Sequence, residues 1–320
     1  KSVDTSQAKA LPGVKAVVKI PSGVAVLADS FWQAKKGRDA LKLQWEGGSE
    51  RSSEDIIADY KKLADTPGLS AAKKGSVAPA LASGKHVLDA EFEFPFLAHA
   101  AMEPMNCALQ KGSKGVEMWY GCQGQSWDQQ NVAKVFGIAA EQVTINTLYA
   151  GGSFGRRATV GSDYPVELAE IVKAWGGSAP VKLVWTREDD TLSGYYRPMY
   201  VHKLTAALDA SGELSAWQQR IVGQSIMGAG KSVDHTSVEG ASNLPYAIPN
   251  LSVESHNTQE AVPISWWRSV GSTHTAYAVE TFIDELAHKA ERDPVEFRLA
   301  LLKDEPRYAG VLKLAAEKAQ

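Results

Sequence analysis

The chain has 320 residues, with 34 Lys plus Arg against 37 Asp plus Glu and a formal net charge of −3, which excludes a general electrostatic affinity for nucleic acid or anionic membrane. Apolar residues make up 44% and charged residues 22%, which excludes wholesale disorder and supplies core for two domains or one large domain with an appendage. Two cysteines, Cys107 and Cys122, are too few for a disulfide framework or a four-thiolate metal site, and no apolar run approaches the ~20 residues of a membrane-spanning helix.

In chain order, residues 14–20 are rich in β-branched side chains and stop at Pro21, and residues 23–28 form a second apolar run; both predict strands. Ser30 is placed to cap a helix through Phe31, Trp32, Ala34 and Lys35 that Gly37 would close, and Leu41, Leu43 and Trp45 alternate like a half-buried strand. Residues 49–85 change composition towards Ser, Gly, Lys and Ala. They predict a connecting segment with one helix at 55–64. Strand patterns follow at 86–94, 115–120, 143–148, 181–185, 201–208 and 214–222, with amphipathic helices at 127–136 and 163–174. A long helix is expected at 275–290, where Ala276, Val279, Ile283, Leu286, Ala287 and Ala290 share a face, and Asp293-Pro294 should open the next. The fold class is α+β (mixed α/β), with no signal for one parallel strand order. The chain opens without Met or a signal peptide and stops inside the helical run 311–320, so it is expected to be a piece of a longer protein.

Four clusters could carry chemistry. Ala150-Gly151-Gly152-Ser153-Phe154-Gly155-Arg156-Arg157 lies between a strand and a helix. Its glycines permit positive φ and close approach of backbone to a ligand, and its two arginines suit phosphate oxygens. The spacing is neither the dinucleotide fingerprint nor a P-loop, and a tight turn with solvated arginines is the bland alternative. His99 and Glu103 stand four apart, on one face if the segment is helical, but no third ligand supports zinc. The loop Gly121-Cys122-Gln123-Gly124 can offer an amide to a ligand. Trp266-Trp267-Arg268 precedes the long helix, where core tryptophans with an exposed arginine are the bland reading. No G-x-S-x-G nucleophile elbow is present.

The order HAAMEP, CQGQ, AGGSFGRR, Tyr195-Tyr196-Arg197-Pro198 and WWRSVG resembles the molybdopterin-binding large subunit of the xanthine dehydrogenase and aldehyde oxidase family. The closer similarity is to its isoquinoline 1-oxidoreductase beta-subunit-like branch. The resemblance implies that residues 1–48 are the C-terminal part of an α/β hammerhead domain. It makes residues 49–85 a connecting segment and residues 86–320 the first molybdenum-cofactor-binding domain, with the second one missing. It implies a hydroxylase that oxidises an N-heterocycle or an aldehyde with water as oxygen donor. The molybdenum would be held by a pterin dithiolene, in simple or cytosine dinucleotide form, with no metal ligand from the protein.

By position, Gln123 resembles the amide beside the apical oxo group, and Gly152, Phe154 and Gly155 resemble the glycine loop whose N–H groups approach the cofactor. Arg268 resembles the arginine after the aromatic pair. These groups are expected to converge on one niche. Ala158 stands where the purine enzymes carry Glu, which argues against xanthine. No catalytic residue is assigned within the chain: the general-base Glu is expected beyond Gln320. The isolated fragment is therefore expected to be inactive and without cofactor. A non-catalytic cofactor-binding or scaffold module is the alternative, and a zinc hydrolase on His99 and Glu103 a remote one. The implied partners are a small 2Fe-2S subunit, a cytochrome c subunit and a small-molecule substrate, with no nucleic acid, and the implied compartment is the periplasm.

Overall fold

The computed structural model describes residues 2–228 and 230–319. Lys1 and Gln320, the outer ends of the first and last expected segments, lie outside the described residues. Helices and strands alternate irregularly along the chain, as the α+β expectation required. Its contacts group into two compact units, one of residues 1–49 with 98–195 and one of residues 50–97 with 196–320. This grouping differs from the expected division at 48 and 85, because each unit is assembled from two stretches of chain.

The first unit is built on a four-stranded sheet in the order Val143–Thr147, Val116–Tyr120, Asn106–Lys111, Val181–Val184. Val143–Thr147 and Val116–Tyr120 run parallel, with Val143 opposite Val116, and the other pairs are antiparallel. A parallel pair needs a crossover, and the helix Gln125–Phe136 supplies it. Gly137 ends that helix in the left-handed conformation, at φ 68°. This helix and Asp163–Trp175 lay Val132, Ala133, Leu168, Ala169 and Val172 against Cys107, Leu109, Val116 and Met118 of the sheet. At the start of the chain Val14–Ile20 and Gly23–Ala28 form a hairpin, and Ser2–Asp4 pairs with Lys42–Gln44. The helix Phe31–Asp39 is capped by Ser30, whose hydroxyl accepts from the Gln33 N–H. Gly37 does not close this helix. It lies inside it and is buried, where an added Cβ would sit 2.7 Å from Val26 Cγ1; the residue is small to let the helix approach the hairpin.

The second unit is built on a five-stranded sheet in the order Leu69–Lys74, Leu251–Thr258, Leu214–Gln224, Tyr200–Leu208, His86–Phe94. Only Leu214–Gln224 and Leu251–Thr258 run parallel. Side chains alternate between its faces. Leu204, Ala206 and Leu208 join the core under the long helix Ser272–Lys289, while Met199, Val201 and Val222 pack with Ile56, Tyr60 and Ala64 of the helix Ser53–Ala64. Phe282, Ile283 and Leu286 are completely buried, and each such side chain contributes ~1.5–3 kcal/mol of burial free energy. Ala276, expected on that buried face, is exposed, and Ala278 and Phe282 take the inward positions. Asp293 caps Pro294–Leu301 through the Val295 and Glu296 N–H groups, as expected for Pro at the first helical turn.

Residues 49–85 carry more than the one expected helix. Besides Ser53–Ala64 they hold the edge strand Leu69–Lys74 and the helix Val77–Ser83. The strand reads LSAAKK, without a β-branched or aromatic residue, so propensity does not mark it. Its pairing with Leu251–Thr258 makes it a strand.

Candidate functional site

In the first unit, two loops leave the carboxyl ends of the parallel strands Val116–Tyr120 and Val143–Thr147, the position where open α/β sheets receive ligands. One loop, Gly121 to Gly124, leads into the helix Gln125–Phe136; the other runs from Leu148 to Ser162. The Leu148 N–H donates to the Tyr120 carbonyl at 2.9 Å, which extends the pairing into the loops. Beyond it the loops are tied reciprocally. The Gln123 N–H donates to the Arg157 carbonyl at 3.3 Å, and the Arg157 N–H donates to Gln123 Oε1 at 3.2 Å. The Gln123 side chain is exposed, and with Oε1 accepting, its Nε2 end is the donor turned away from this tie.

The glycine turn is held in an uncommon backbone state. Gly152 has φ 96°, Phe154 φ 57° and Gly155 φ 104°. Glycine accepts such angles freely, whereas Phe154 in the left-handed region is strained by ~1–2 kcal/mol. The turn's own bonds run from the Arg156 N–H to the Ser153 carbonyl and from the Ala158 N–H to the Gly155 carbonyl. The Phe154 and Gly155 N–H groups stand outside that ladder, and the Phe154 ring is 43% exposed. Gln123, Gly152, Phe154 and Gly155 are thus brought together in one unit. Arg268 belongs to the other.

Neither Arg156 nor Arg157 is a phosphate ligand or a solvated surface group, the two readings open from sequence. Both are buried. Arg157 donates to the carbonyls of Gly152 (3.3 Å), Gly121 (3.4 Å) and Glu103 (3.2 Å), tying three loops at one guanidinium. Arg156 grips Asp163 through both ends of its fork, at 3.2 and 2.7 Å, and lies between the Trp185 and Tyr195 rings. Beneath the Gln123 loop, the buried Asp128 accepts from Tyr120 Oη at 2.8 Å and Cys122 Sγ at 3.0 Å. Burial raises the Asp128 carboxyl, against the lowering effect of these donors, and pushes the Cys122 thiol up to about 12. That thiol is a structural donor, and Cys107 and Cys122 are both free.

The segment of His99 and Glu103 is not helical, which removes the four-residue spacing as an argument for shared facing. The Glu103 carboxylate receives the Gly151 N–H at 2.5 Å and the Asn106 amide at 2.6 Å. Burial works against its charge, but these two donors and Arg157 outweigh it and hold the carboxyl below its usual range. Among the described residues no group of three His, Cys, Asp or Glu side chains is placed to hold a metal ion. The zinc reading fails on these two observations.

In the second unit, Arg268 is exposed in the turn before the long helix, followed by Ser269 and Val270 at φ 69° and 44°. The fourth and fifth motifs meet there. The Tyr196 N–H donates to the Pro263 carbonyl at 3.0 Å, the Ser265 N–H to the Tyr196 carbonyl at 3.0 Å, and Arg197 lies over the Trp267 ring. The parts of the sites that sequence reasoning missed are the supporting groups Asp128 and Asp163 and the bracing role of Glu103, which the sequence offered only as a metal-ligand candidate. Each stands next to a recognised motif, yet nothing in the sequence says which loop it grips.

The chain matches the molybdopterin cofactor-binding domain over residues 62–302. It is 27% identical over 98% of its length to isoquinoline 1-oxidoreductase subunit beta of Brevundimonas diminuta, of which it covers 42%. It is 30% identical over 97% of its length to a membrane-bound aldehyde dehydrogenase of Gluconacetobacter polyoxogenes, named for pyrroloquinoline quinone, of which it covers 43%. The chain therefore spans about two-fifths of the length of these relatives. Quinoline 2-oxidoreductase from Pseudomonas putida 86 shares its fold, with a TM-score of 0.79 at 20% identity over 99% of this chain and 48% of that one. The chain belongs to the molybdopterin cofactor-binding family, that of the large subunits of the xanthine dehydrogenase and aldehyde oxidase group.

Proposed function

We propose that the chain is a cofactor-binding portion of a molybdenum hydroxylase large subunit whose complete form oxidises an N-heterocycle or an aldehyde, with water as the oxygen source. The observation that carries this reading is the reciprocal Gln123–Arg157 tie, which sets a side-chain amide beside the positive-φ turn of Phe154 and Gly155. In this reading the Gln123 Nε2 group and the Phe154 and Gly155 N–H groups donate to the cofactor and Gly152 lets the backbone approach it; Arg268, taken by itself in the second unit, is read as a cation suited to an anionic group. Neutral donors without thiolates or imidazoles fit a metal held by its own pterin dithiolene, in simple or cytosine dinucleotide form. When bound, that group supplies the two-electron redox chemistry and the water-derived oxygen. The chain's own part is to orient it and to keep these donors fixed.

Residues 1–48 then correspond to the later part of a hammerhead domain and the segment from residue 86 onward to the first of two cofactor-binding domains. Ala158, whose N–H stays within the turn, offers no carboxylate to a purine, which favours other substrates. Glu103, the acidic side chain tied to the glycine turn, is occupied by Gly151 and Asn106. In this reading the proton-accepting Glu is supplied from beyond Gln320, and the chain alone is a non-catalytic cofactor-binding module. Two electrons leave per turnover and the chain has only two cysteines, so a small 2Fe-2S subunit and a cytochrome c subunit are the proposed acceptors, in the periplasm. No helix of the described residues is long and apolar enough to cross a membrane.

Metal and pterin analysis of the complete protein tests the reading. Stoichiometric molybdenum with dye reduction by an N-heterocycle or aldehyde is expected, with cofactor content lowered by Gly155→Val. Absence of molybdenum from the complete protein would overturn the cofactor assignment. Molybdenum without oxidation of either substrate class would overturn the activity.

A further inference from the structure

A chain of hydrogen bonds runs through the core of the second unit, and its direction is fixed. Trp217 Nε1 can only donate, and it faces Gln219 Oε1 at 3.3 Å. The amide nitrogen of Gln219 therefore faces His202 Nδ1, at 3.0 Å, and donates to it. A neutral His202 then carries its proton on Nε2 and gives it to His274 Nδ1 at 2.8 Å. His274, its Nδ1 now an acceptor, carries its own proton on Nε2. Both rings are essentially inaccessible, with relative exposures of 0% and 1%, and burial holds both in the neutral form. The chain thus ends in a buried N–H donor, His274 Nε2, with no acceptor among the described residues. One such group ordinarily costs ~1–3 kcal/mol.

A second buried donor stands on the same ring. The Phe94 side chain lies 5.9 Å from His274, centroid to centroid, and 6.0 Å from the Arg197 guanidinium carbon. Arg197 is 9% exposed. Its Nη2 donates to the Pro95 carbonyl at 2.7 Å, while its Nε is buried with no acceptor among the described residues. Among the described residues no carboxylate pairs with it. Burial is the main influence on this guanidinium, and an unpaired buried cation is among the costliest groups a core can hold. The faces of Phe94 and Trp267 offset part of that cost, but neither ring accepts a hydrogen bond in the guanidinium plane.

We propose that Arg197 Nε and His274 Nε2 form a buried site beside Phe94 for a small monovalent anion of halide size. The anion neutralises Arg197 and gives the Trp217–Gln219–His202–His274 chain its terminal acceptor. Its role is structural, coupling the strand Tyr196–Arg197 to the amino-terminal end of the long helix. An anion is favoured over water because the site carries a full positive charge and two donors, with no acceptor for a water's own protons among the groups named.

Crystals grown with bromide in place of chloride test the site directly. An anomalous peak within hydrogen-bond reach of both nitrogens is expected. In solution, bromide exchanged for gluconate at constant ionic strength should raise the Tm of the wild-type protein saturably, by a few degrees. Arg197→Met should lose that rise, and Arg292→Met, a surface change, should keep it. Should Arg197→Met fail to fold, the bromide peak and the wild-type titration still decide. A water-only peak, an adventitious ion only (bromide density with a Tm indifferent to halide), or nitrogen NMR showing His274 protonated on Nδ1 would each overturn the proposal.

Discussion

Replacing Arg157 with Met tests whether the arginines of the glycine turn hold the loops or await a ligand. The side chain has no exposed surface, and Met fills most of its volume without its donors. Three bonds to carbonyl oxygens disappear. Gly121 keeps the Tyr164 hydroxyl at 2.9 Å, so the Gly152 and Glu103 carbonyls lose most. Losing two bonds from a charged donor, at ~1.5–3 kcal/mol each, is offset by no longer burying that charge. A net loss of about 3 kcal/mol is expected. For a unit of this size that lowers the calorimetric Tm by roughly 9 °C. Hydrogen exchange should quicken at residues 148–158 and at Gln123, whose N–H bonds to Arg157. Arg157→Lys should recover only part of the loss, since an ammonium cannot span carbonyls from three loops. A Tm within about 1 °C of wild type for Arg157→Met, well inside the ~3 °C expected per kcal/mol, would refute the reasoning.

Burial holds the His202 imidazole at about 3 and that of His274 well below its usual value, so both stay neutral in the fold while the unfolded chain takes up protons below about pH 6.5. Their contribution is complete above that pH and is lost on acidification, at roughly 2–3 kcal/mol per pH unit for the pair between about pH 6 and 4; ring resonances titrating near 6.5 in the folded protein would contradict this. Gly37→Ala should destabilise, because the new methyl would meet Val26 at 2.7 Å and Val14 at 3.2 Å. Gly310→Ala, in the open interior of Pro306–Lys318, should stabilise by about 0.5–1 kcal/mol, and urea unfolding of both variants checks the opposite signs. Glu103→Ala removes the acceptor of the Gly151 N–H and should quicken that amide's exchange about tenfold, equivalent to ~1.4 kcal/mol for one charge-assisted bond; an unchanged rate would show the turn to be held without it.

Much of the fold is legible locally. The strand Val14–Ile20 and the cap at Ser30 follow from β-branching and side-chain capping, and the start of Pro294–Leu301 follows from Asp293-Pro294. Strands such as Leu69–Lys74 and Asn106–Lys111, which lack β-branched residues, are strands because of their neighbours, and no local pattern announces a neighbour. The site divides in the same way. Gln123 and the Gly152–Gly155 turn stand out in the sequence because glycine spacing and a strand-end loop are local signals.

Which loops could approach a ligand was readable from the chain alone, since positive φ and strand-to-helix turns are written in consecutive residues. What the charged groups do was settled by folding. Arg156, Arg157 and Glu103 read as ligand-binding candidates along the chain, yet each is consumed by a partner brought to it by folding. Gln219, His202 and His274 read as nothing in particular and Arg197 only as one letter of a motif, and burial makes a directed hydrogen-bond chain and an unpaired cation of them. The reason is that a charge or a donor acquires its role from its surroundings, and those surroundings are made by residues from a few to about a hundred positions away that folding brings together.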